Sequence, residues 1–290
     1  MLSPTLLTLL YLPTVALSQK YLFSFGSSYT DTSFKIDGQQ PSRAFPLGNP
    51  DYGTGTTGGG PNYIDFLTKV YNSSLTFTYN FAVGGTVVST SIVSGGSPDL
   101  QHQVSDLFSP KYSSPGAPAA AWSANSALFI IFMGDNDVQI GYTQNGGLPT
   151  TQLGNAYFEA VNNLYTAGAR KFLFVRVPAL DRSPAHKKDG AAANAALKSA
   201  IADYNNELVS RVFNFAAKKN DAKCRVYDFN AFMTSVLDNP TPYGFKDAEC
   251  EGNGENSDCI WWQQSPGHTT SRFQKYMARD IAQTVLAGFW

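Results

Sequence analysis

Short apolar runs, rich in aromatic and β-branched residues, recur along the chain and predict β-strands. They cover residues 21–25, 76–83, 127–133, 171–177 and 225–229. The fourth run is apolar at nearly every position, as expected of a strand that is covered on both faces of its sheet. Between the runs, helical patterns occupy residues 62–71, 154–167, 190–217 and 271–287.

Strands that alternate with helices are typical of parallel strands joined by helical crossovers. The pattern therefore predicts an α/β fold, a three-layer α/β/α sandwich built on a five-stranded parallel sheet. Polar residues follow several of the strands, and the carboxyl ends of parallel strands lie along one edge of a sheet. We expect the chemistry of the protein to lie at that edge.

The first 18 residues form a short apolar segment that ends in Ala16-Leu17-Ser18. This small-x-small ending predicts a cleaved secretory signal peptide, residues 1–18, followed by a single domain at residues 19–290. The apolar run is shorter than the roughly 20 residues that span a bilayer. We therefore expect a secreted, extracellular protein without a membrane anchor.

The composition narrows the range of partners. The net charge of −1 over 290 residues argues against a nucleic-acid or membrane-surface partner, because both require a basic face. A small-molecule or oligosaccharide substrate suits this charge better, and we expect a monomer. The glycine-rich residues 53–60 lack the Gly-Lys-Ser/Thr ending of a phosphate-binding loop, so we interpret them as a flexible surface loop.

Three cysteines follow the predicted signal peptide. In an oxidising compartment Cys250 and Cys259 would close a short polar loop, which leaves Cys224 as a buried free thiol. No cysteine or histidine spacing resembles a zinc site, so we expect no metal. The tripeptide Asn72-Ser73-Ser74 is a potential glycosylation sequon, with Asn72 as the acceptor.

Four separated polar blocks suggest nucleophilic catalysis. They are Gly26-Ser27-Ser28-Tyr29-Thr30-Asp31, Asn80-Phe81-Ala82-Val83-Gly84-Gly85, Gly134-Asp135-Asn136-Asp137 and the segment 261–269 with His268. A serine hydroxyl needs a base, usually histidine, and the resulting oxyanion needs fixed donors such as backbone or asparagine amides. The four blocks contain each of these groups.

The chain resembles the GDSL-type, or SGNH, hydrolases, and among them fungal secreted esterases that are similar to the hemicellulose acetylesterases. The resemblance rests on the order and spacing of the first three blocks, of residues 177–184 and of residues 241–245. It implies a flavodoxin-like fold and catalysis without a cofactor. It also implies that Ser28 is the nucleophile, His268 the general base, and Gly85 and Asn136 the oxyanion-hole donors. Gly84 stays open as an alternative to Gly85.

Two departures from the family pattern affect the site. Ser27 stands where the family has the aspartate of Gly-Asp-Ser, so Ser27 competes with Ser28 as the candidate nucleophile. Ser265 stands where the family's Asp-x-x-His block has the aspartate that orients the histidine. Asp258, in the loop between the two cysteines, is one candidate for that orienting role, which the sequence leaves unassigned.

The other two histidines have simpler interpretations. We expect His102 to lie on an exposed helix and His186 in a solvated loop. Trp261 and Trp262 are open to two interpretations, stacking on a sugar or anchoring the C-terminal segment.

These observations predict a secreted serine esterase that removes acetyl groups from plant-wall saccharides or hydrolyses other short-chain esters. Two alternatives stay open. A lipid esterase would prefer longer acyl chains, and a catalytically impaired, sugar-binding relative would hydrolyse no ester.

Overall fold

A computed structural model describes residues 19–95, 98–113, 115–117, 119–143 and 147–290. The predicted signal peptide lies outside these residues. The main sheet has five parallel strands in the order β2-β1-β3-β4-β5. These strands are β1 (Lys20–Gly26), β2 (Thr76–Asn80), β3 (Ala127–Phe132), β4 (Lys171–Val175) and β5 (Lys223–Tyr227). The sequence prediction of a five-stranded parallel α/β fold is confirmed.

The α-helices of the described residues connect and flank these strands. They are α1 (Tyr63–Lys69), α2 (Leu100–His102), α3 (Ser109–Tyr112), α4 (Asp135–Gly141), α5 (Thr150–Thr166), α6 (Pro184–Lys187), α7 (Ala191–Lys218), α8 (Phe229–Asp238) and α9 (Ser271–Asp280). The helical structure also includes two π-helical segments, at Gln103–Phe108 and Ile281–Val285, and two 3-10 turns, at Leu180–Arg182 and Thr241–Tyr243. A second, two-stranded sheet pairs β6 (Glu251–Gly252) with β7 (Trp261–Trp262).

The helices fall into two groups, which cover the sheet on both sides. Helix α1 packs against α9, while α5 contacts α7 and α2. Every residue of β3 is buried, as a strand covered on both faces requires. In the middle of the sheet the ring of Phe23 stacks on Phe129 at 4.9 Å and on Tyr79 at 5.2 Å. An aromatic core thus fixes the central strands whose carboxyl ends carry the candidate site.

Two predicted strand ends were wrong for identifiable reasons. Strand β2 ends at Asn80 rather than at residue 83, because the Asn80 side chain leaves the sheet pattern to donate to the Thr30 carbonyl at 2.6 Å. The predicted fifth strand included Phe229, which instead begins α8. Asp228 accepts a hydrogen bond from the Ala231 amide at 3.0 Å and so caps that helix.

The glycine-rich residues 53–60, predicted to be a flexible surface loop, lie only partly at the surface: Thr54 and Gly55 are exposed, but the loop also bonds to two other segments. The Thr57 hydroxyl donates to the Ser28 carbonyl at 2.6 Å, and the Gly58 carbonyl accepts from the Ser271 amide at 2.8 Å. Gly58 is buried. The loop therefore braces the turn that carries Ser28 against the start of α9.

The predicted disulfide is confirmed, whereas the predicted burial of the third cysteine is corrected. Cys250 and Cys259 form a disulfide, which closes the loop that contains β6. Cys224 is a free thiol among the described residues, but it is half-buried rather than fully buried. Burial raises the pKa of this thiol to about 12, so it is not a reactive thiolate at neutral pH.

Candidate active site

Strand β1 delivers the chain into a tight turn at the carboxyl edge of the sheet. The Ser27 carbonyl accepts from the amides of Thr30 and Asp31, both at 2.9 Å. A Cβ atom on Gly26 would lie 2.8 Å from the Phe132 carbonyl oxygen, so only glycine fits at the start of this turn. Ser28 occupies the turn itself, beyond the end of β1.

The turn brings Ser28 to the histidine that lies 240 residues further along the chain. The Ser28 Oγ and His268 Nε2 atoms are 2.6 Å apart, within hydrogen-bond range. This is the contact that a serine nucleophile and its general base require.

Ser265 holds the other nitrogen of the same ring. The His268 Nδ1 atom lies 2.8 Å from the Ser265 hydroxyl and 3.2 Å from the Ser265 carbonyl oxygen. With Ser28 donating to Nε2, the ring proton lies on Nδ1 and is donated to these two oxygens. A hydroxyl and a carbonyl thus take the place of the carboxylate that the family pattern has at this position.

Tyr29 holds the loop that precedes His268 in place through a hydrogen bond. The Tyr29 hydroxyl donates to the Gly267 carbonyl at 2.6 Å, and the Tyr29 ring lies 5.2 Å from the imidazole. Tyr29 is buried, and its burial raises its pKa, so it stays a neutral donor. The residue next to the nucleophile thereby sets the position of the base.

Burial also shifts the protonation of His268 itself. Loss of hydration lowers the pKa of the imidazole, and this effect exceeds the opposing effect of the carbonyl groups of Ser265 and Pro266. The ring is therefore neutral, and able to accept a proton, at a lower pH than a free histidine. Neutral imidazole is the form that general-base catalysis needs.

This shift predicts the acidic limb of the pH–rate profile. We expect kcat/KM for a soluble ester to fall to half its plateau at a pH below 6.5, the ordinary pKa of histidine. The reason is that His268 must be neutral in the free enzyme. A profile measured between about pH 4 and 8 tests this, and a midpoint at or above the ordinary value would contradict it.

Ser27 has a different environment from Ser28. Its side chain is fully buried, and its hydroxyl donates to Asp135 Oδ2 at 2.5 Å. Burial raises the pKa of Asp135 to about 6, an effect that the Ser27 hydrogen bond partly offsets. Ser27 therefore stabilises a buried carboxyl group beneath the site, whereas Ser28 faces the histidine.

A second carboxyl group lies beside that pair. Asp137 accepts from the Val88 amide with both oxygens at 3.0 Å, and its burial raises its pKa to about 8. Between them, Asp135 and Asp137 carry Asn136 at the first turn of α4. Their hydrogen bonds to Ser27 in the turn after β1 and to Val88 in the segment after β2 fix the position from which the Asn136 side chain extends.

The two candidate glycines, Gly84 and Gly85, differ in whether their backbone amides already have an acceptor. The Gly84 amide donates to Asp31 Oδ2 at 2.8 Å, so it is already engaged. Gly85 has φ of +80° and, within the described residues, its amide has no protein acceptor. The Asn136 side-chain amide donates one hydrogen to the Thr86 carbonyl at 2.9 Å, which leaves its second hydrogen available.

The remaining sequence candidates lie elsewhere. His102 is exposed and pairs with Asp106 on its own helical segment. His186 is not freely solvated, because its Nε2 atom is 2.9 Å from Gln139 Oε1 on α4. Asp258 does not contact His268, whose Nδ1 atom is bonded to Ser265.

The two tryptophans divide between the two interpretations. Trp261 is buried, and its indole donates to the Ala248 carbonyl at 2.8 Å, so it anchors the C-terminal segment. Trp262 is only half-buried. A Cβ atom on Gly59 would lie 2.9 Å from the Trp262 indole nitrogen, which places this ring against the glycine-rich loop.

In the described ranges, no group of three or more histidine, cysteine, aspartate or glutamate side chains is placed to hold a metal ion. No helix of the described part of the chain has the length and apolar character to cross a bilayer. Asn72 is exposed, and its glycosylation stays a prediction.

Sequence reasoning missed three residues that shape the site. Ser265, Tyr29 and Thr57 reach His268, the Gly267 carbonyl and the Ser28 carbonyl through hydrogen bonds. Only Ser265 had a usable signal, because it occupies the position three before His268. The contacts of Tyr29 and Thr57 depend on the path of distant loops and leave no local pattern.

The fold and the paired serine and histidine define a serine hydrolase of the α/β class. The model of the family described as GDSL-like Lipase/Acylhydrolase matches residues 22–281. The chain therefore belongs to the GDSL-like lipase/acylhydrolase family, and it is a serine ester hydrolase.

Known proteins similar to the chain agree with this assignment. An acetylesterase from Thermothelomyces thermophilus is 32% identical over 276 residues, which cover 94% of this chain and 90% of that relative. GDSL esterase/lipase 4 from Arabidopsis thaliana is 23% identical over an alignment that covers 82% of this chain and 74% of that relative. The solved structure of a mutant acetyl-xylooligosaccharide esterase from Geobacillus is 13% identical and shares the fold, with a TM-score of 0.52 over 90% of this chain and 92% of that one.

Proposed function

We propose that the protein is a secreted esterase that removes acetyl groups from plant-wall saccharides, or cleaves other short-chain esters, through an acyl-enzyme on Ser28. The observation that carries the proposal is the 2.6 Å contact between Ser28 Oγ and His268 Nε2. The similarity to an acetylesterase over nearly the whole chain supports the acetyl group as the acyl part of the substrate.

In the first half of the proposed reaction, the Ser28 oxygen attacks the ester carbonyl carbon while its proton passes to His268 Nε2. The carbonyl oxygen becomes an oxyanion. We assign the Gly85 amide and the second hydrogen of the Asn136 amide as its donors, because no described residue accepts from them. A Cβ atom on Gly84, the neighbour of Gly85, would lie 3.9 Å from Ser28 Cβ, which supports a place for this turn beside the nucleophile. Collapse of this intermediate breaks the bond to the sugar oxygen, which leaves as an alcohol with the proton from Nε2.

In the second half, water attacks the acyl group on Ser28 and gives its proton to Nε2. The same two donors bind the second oxyanion. Its collapse returns the proton to the Ser28 oxygen and releases the carboxylic acid, so that the enzyme regains its starting state. No cofactor enters either half.

Ser265 acts in this scheme as a positioning residue. Its hydroxyl and carbonyl oxygen fix the tautomer of His268 and stabilise the imidazolium that forms during each half-reaction. Both acceptors are neutral, so they stabilise the positive charge less than a carboxylate does. The active centre is thus a serine–histidine dyad supported by a serine.

Other features agree with a secreted enzyme that acts alone. The disulfide between Cys250 and Cys259 suits an oxidising compartment. We propose that residues 1–18 are removed on secretion, that Asn72 carries a glycan and that the mature protein is a monomer.

The test is hydrolysis of three kinds of substrate by the purified protein: p-nitrophenyl acetate, p-nitrophenyl esters of longer acyl chains and acetylated xylo-oligosaccharides. We expect it to cleave the first and the last, with rates on the p-nitrophenyl esters that fall as the acyl chain lengthens. The Ser28→Ala variant serves as the blank. Rates that rise with the length of the acyl chain would favour a lipid esterase. If the wild type is no faster than the Ser28→Ala blank on any ester, the protein is not an esterase, and the alternative of a sugar-binding relative is favoured.

Substitution of Ser265 tests its positioning role. In Ser265→Ala we expect kcat to fall by about tenfold, because the hydroxyl acceptor is lost while the carbonyl acceptor remains. In Ser265→Asp we expect the acidic limb of the pH profile to move to higher pH, because a carboxylate favours the charged imidazole. The matched control is Gln264→Ala, a change at the exposed neighbouring residue. An unchanged limb in Ser265→Asp would show that the residue does not act on His268.

A further inference from the structure

Two adjoining hollows lie on the α1–α9 side of the molecule, outside the catalytic pair. One, of about 470 Å³, is lined by Phe66, Tyr71, Glu255, Asn256, Arg272, Lys275, Tyr276 and Arg279. The other, of about 350 Å³, is lined by residues 44–48 and by Pro50, Asp51, Tyr52 and Lys69. The rings of Tyr52 and Phe66 meet edge to face at 6.3 Å between them. We call the two hollows together the α1–α9 groove.

The groove exposes flat aromatic surface. Phe45 is 51% exposed and Tyr52 is 38% exposed, and the two rings lie in the wall of the same hollow. Tyr71 and Tyr276 are half-buried in the wall. Exposed rings in a concave surface indicate a binding site. Their faces suit the apolar faces of sugar rings.

The groove is also basic. It contains Lys69, Arg272, Lys275 and Arg279, against the two acidic residues Asp51 and Glu255. The ion pairs formed among the described residues, such as Arg211 with Glu207 on α7, involve none of these four cations. Four basic groups without carboxylate partners in one groove contrast with the net charge of −1 of the whole chain.

The basic groups are held in place over aromatic rings. Lys275 Nζ lies 5.8 Å from the centre of the Phe66 ring, and the Arg279 guanidinium lies 4.8 Å from that of Tyr276. The Arg272 guanidinium lies 5.4 Å from the centre of the Phe245 ring. These contacts restrict the side chains and leave their N–H groups for an anion. Guanidinium groups bind carboxylates in bidentate geometry.

One loop connects the groove with the catalytic pair. Thr57 donates to the Ser28 carbonyl, and a Cβ atom on Gly60, three residues further, would lie 3.2 Å from Glu255 Cβ at the edge of the groove. Arg272 follows His268 by four residues. A chain-like ligand held in the groove thus lies next to the segments that carry the nucleophile and the base.

We propose that the α1–α9 groove binds an acidic polysaccharide, in which sugar rings stack on Phe45 and Tyr52 and uronic-acid carboxylates pair with Lys275 and Arg279. The proposal rests on the proposed function in one respect, namely that the polymer carries the ester that the enzyme cleaves. It extends that function by assigning a class of substrate, a saccharide chain with carboxylate groups, and a binding site separate from the catalytic pair.

Binding is measured in the Ser28→Ala variant of the full chain, so that the result is independent of hydrolysis. The probes are a xylan with glucuronic acid side groups and the same xylan with its carboxyl groups reduced to alcohols. We expect the acidic polymer to bind about tenfold more tightly at low salt, a difference that two or three exposed ion pairs provide. We also expect the difference to disappear near 0.5 M salt, because exposed charges are then largely screened (Debye length about 4 Å).

Lys275→Gln together with Arg279→Gln should reduce binding of the acidic polymer to the level of the reduced one. Phe45→Ala should weaken binding of both polymers. The charge-matched control is Lys218→Gln with Lys223→Gln, two exposed residues away from the groove, and it should change neither. Thermal unfolding of each variant checks that the fold is intact.

Three outcomes would overturn the proposal. In the first, the acidic and the reduced polymer bind equally well. In the second, the groove variant and its control lose the same amount of binding to the acidic polymer. In the third, the protein binds phosphatidylserine vesicles but neither polymer. Failure of the proposed function gives a different result. In that case the wild type hydrolyses no ester, while the binding measurements stand by themselves.

Discussion

Replacement of Ser28 by alanine should lower kcat for p-nitrophenyl acetate by about four to six orders of magnitude, the loss expected when a serine hydrolase lacks its nucleophile. The Ser28 hydroxyl is the one in contact with His268 Nε2, at 2.6 Å. Without it no acyl-enzyme forms, and the remaining groups only bind and polarise the ester. Steady-state rates and the burst of p-nitrophenol both report this loss.

Ser27→Ala is the matched control, since it removes a hydroxyl from the adjacent residue of the same turn. We expect most of the rate to remain and the free energy of unfolding to fall by about 1–3 kcal/mol, because the buried Asp135 carboxyl group loses its donor. Denaturant unfolding measures this loss of stability. If Ser27→Ala abolished activity while Ser28→Ala kept most of it, Ser27 would be the nucleophile.

The second large effect is expected at the oxyanion hole. Asn136→Ala should lower kcat by about 10²–10³-fold with little change in KM, because the amide contributes mainly when negative charge develops on the substrate oxygen. The Asn136 amide donates one hydrogen to the Thr86 carbonyl, which leaves the other for the proposed oxyanion.

Two further variants, one at position 136 and one at position 139, test whether Asn136 acts by donating a hydrogen bond rather than by filling space. Asn136→Asp keeps the shape but removes both hydrogens and adds a negative charge, so we expect a loss at least as large. Gln139→Ala, one turn further along α4, should leave the rate within about tenfold, since it removes hydrogen bonds to His186 and to the Asp135 carbonyl but no proposed oxyanion donor. Equal losses at positions 136 and 139 would contradict a specific oxyanion role for Asn136.

The fold was predictable because its signals are local. The runs in β1, β3 and β4 are apolar over almost their whole length, and such runs alternate with helical patterns, so both strand type and connection follow from the sequence. The ends of β2 and β5 were not predictable from hydrophobicity alone. They are set by the polar side chains of Asn80 and Asp228, whose partners had to be seen in three dimensions.

The candidate site was predictable to a similar degree. Motif order predicted which serine, histidine and asparagine to place together, and the structure brings Ser28 and His268 into contact. The support of the base was not predictable, because the sequence shows only that an aspartate is missing before His268. Whether the Ser265 hydroxyl turns toward the ring depends on the backbone of the loop, and Tyr29 fixes that loop through Gly267.

The contact between Ser27 and Asp135 also has an evolutionary consequence. An aspartate at position 27 would place a second carboxyl group against one that is already buried and costly to ionise. We therefore expect the two positions to be epistatic, so that an acidic residue at position 27 is tolerated better when residue 135 carries no carboxyl group.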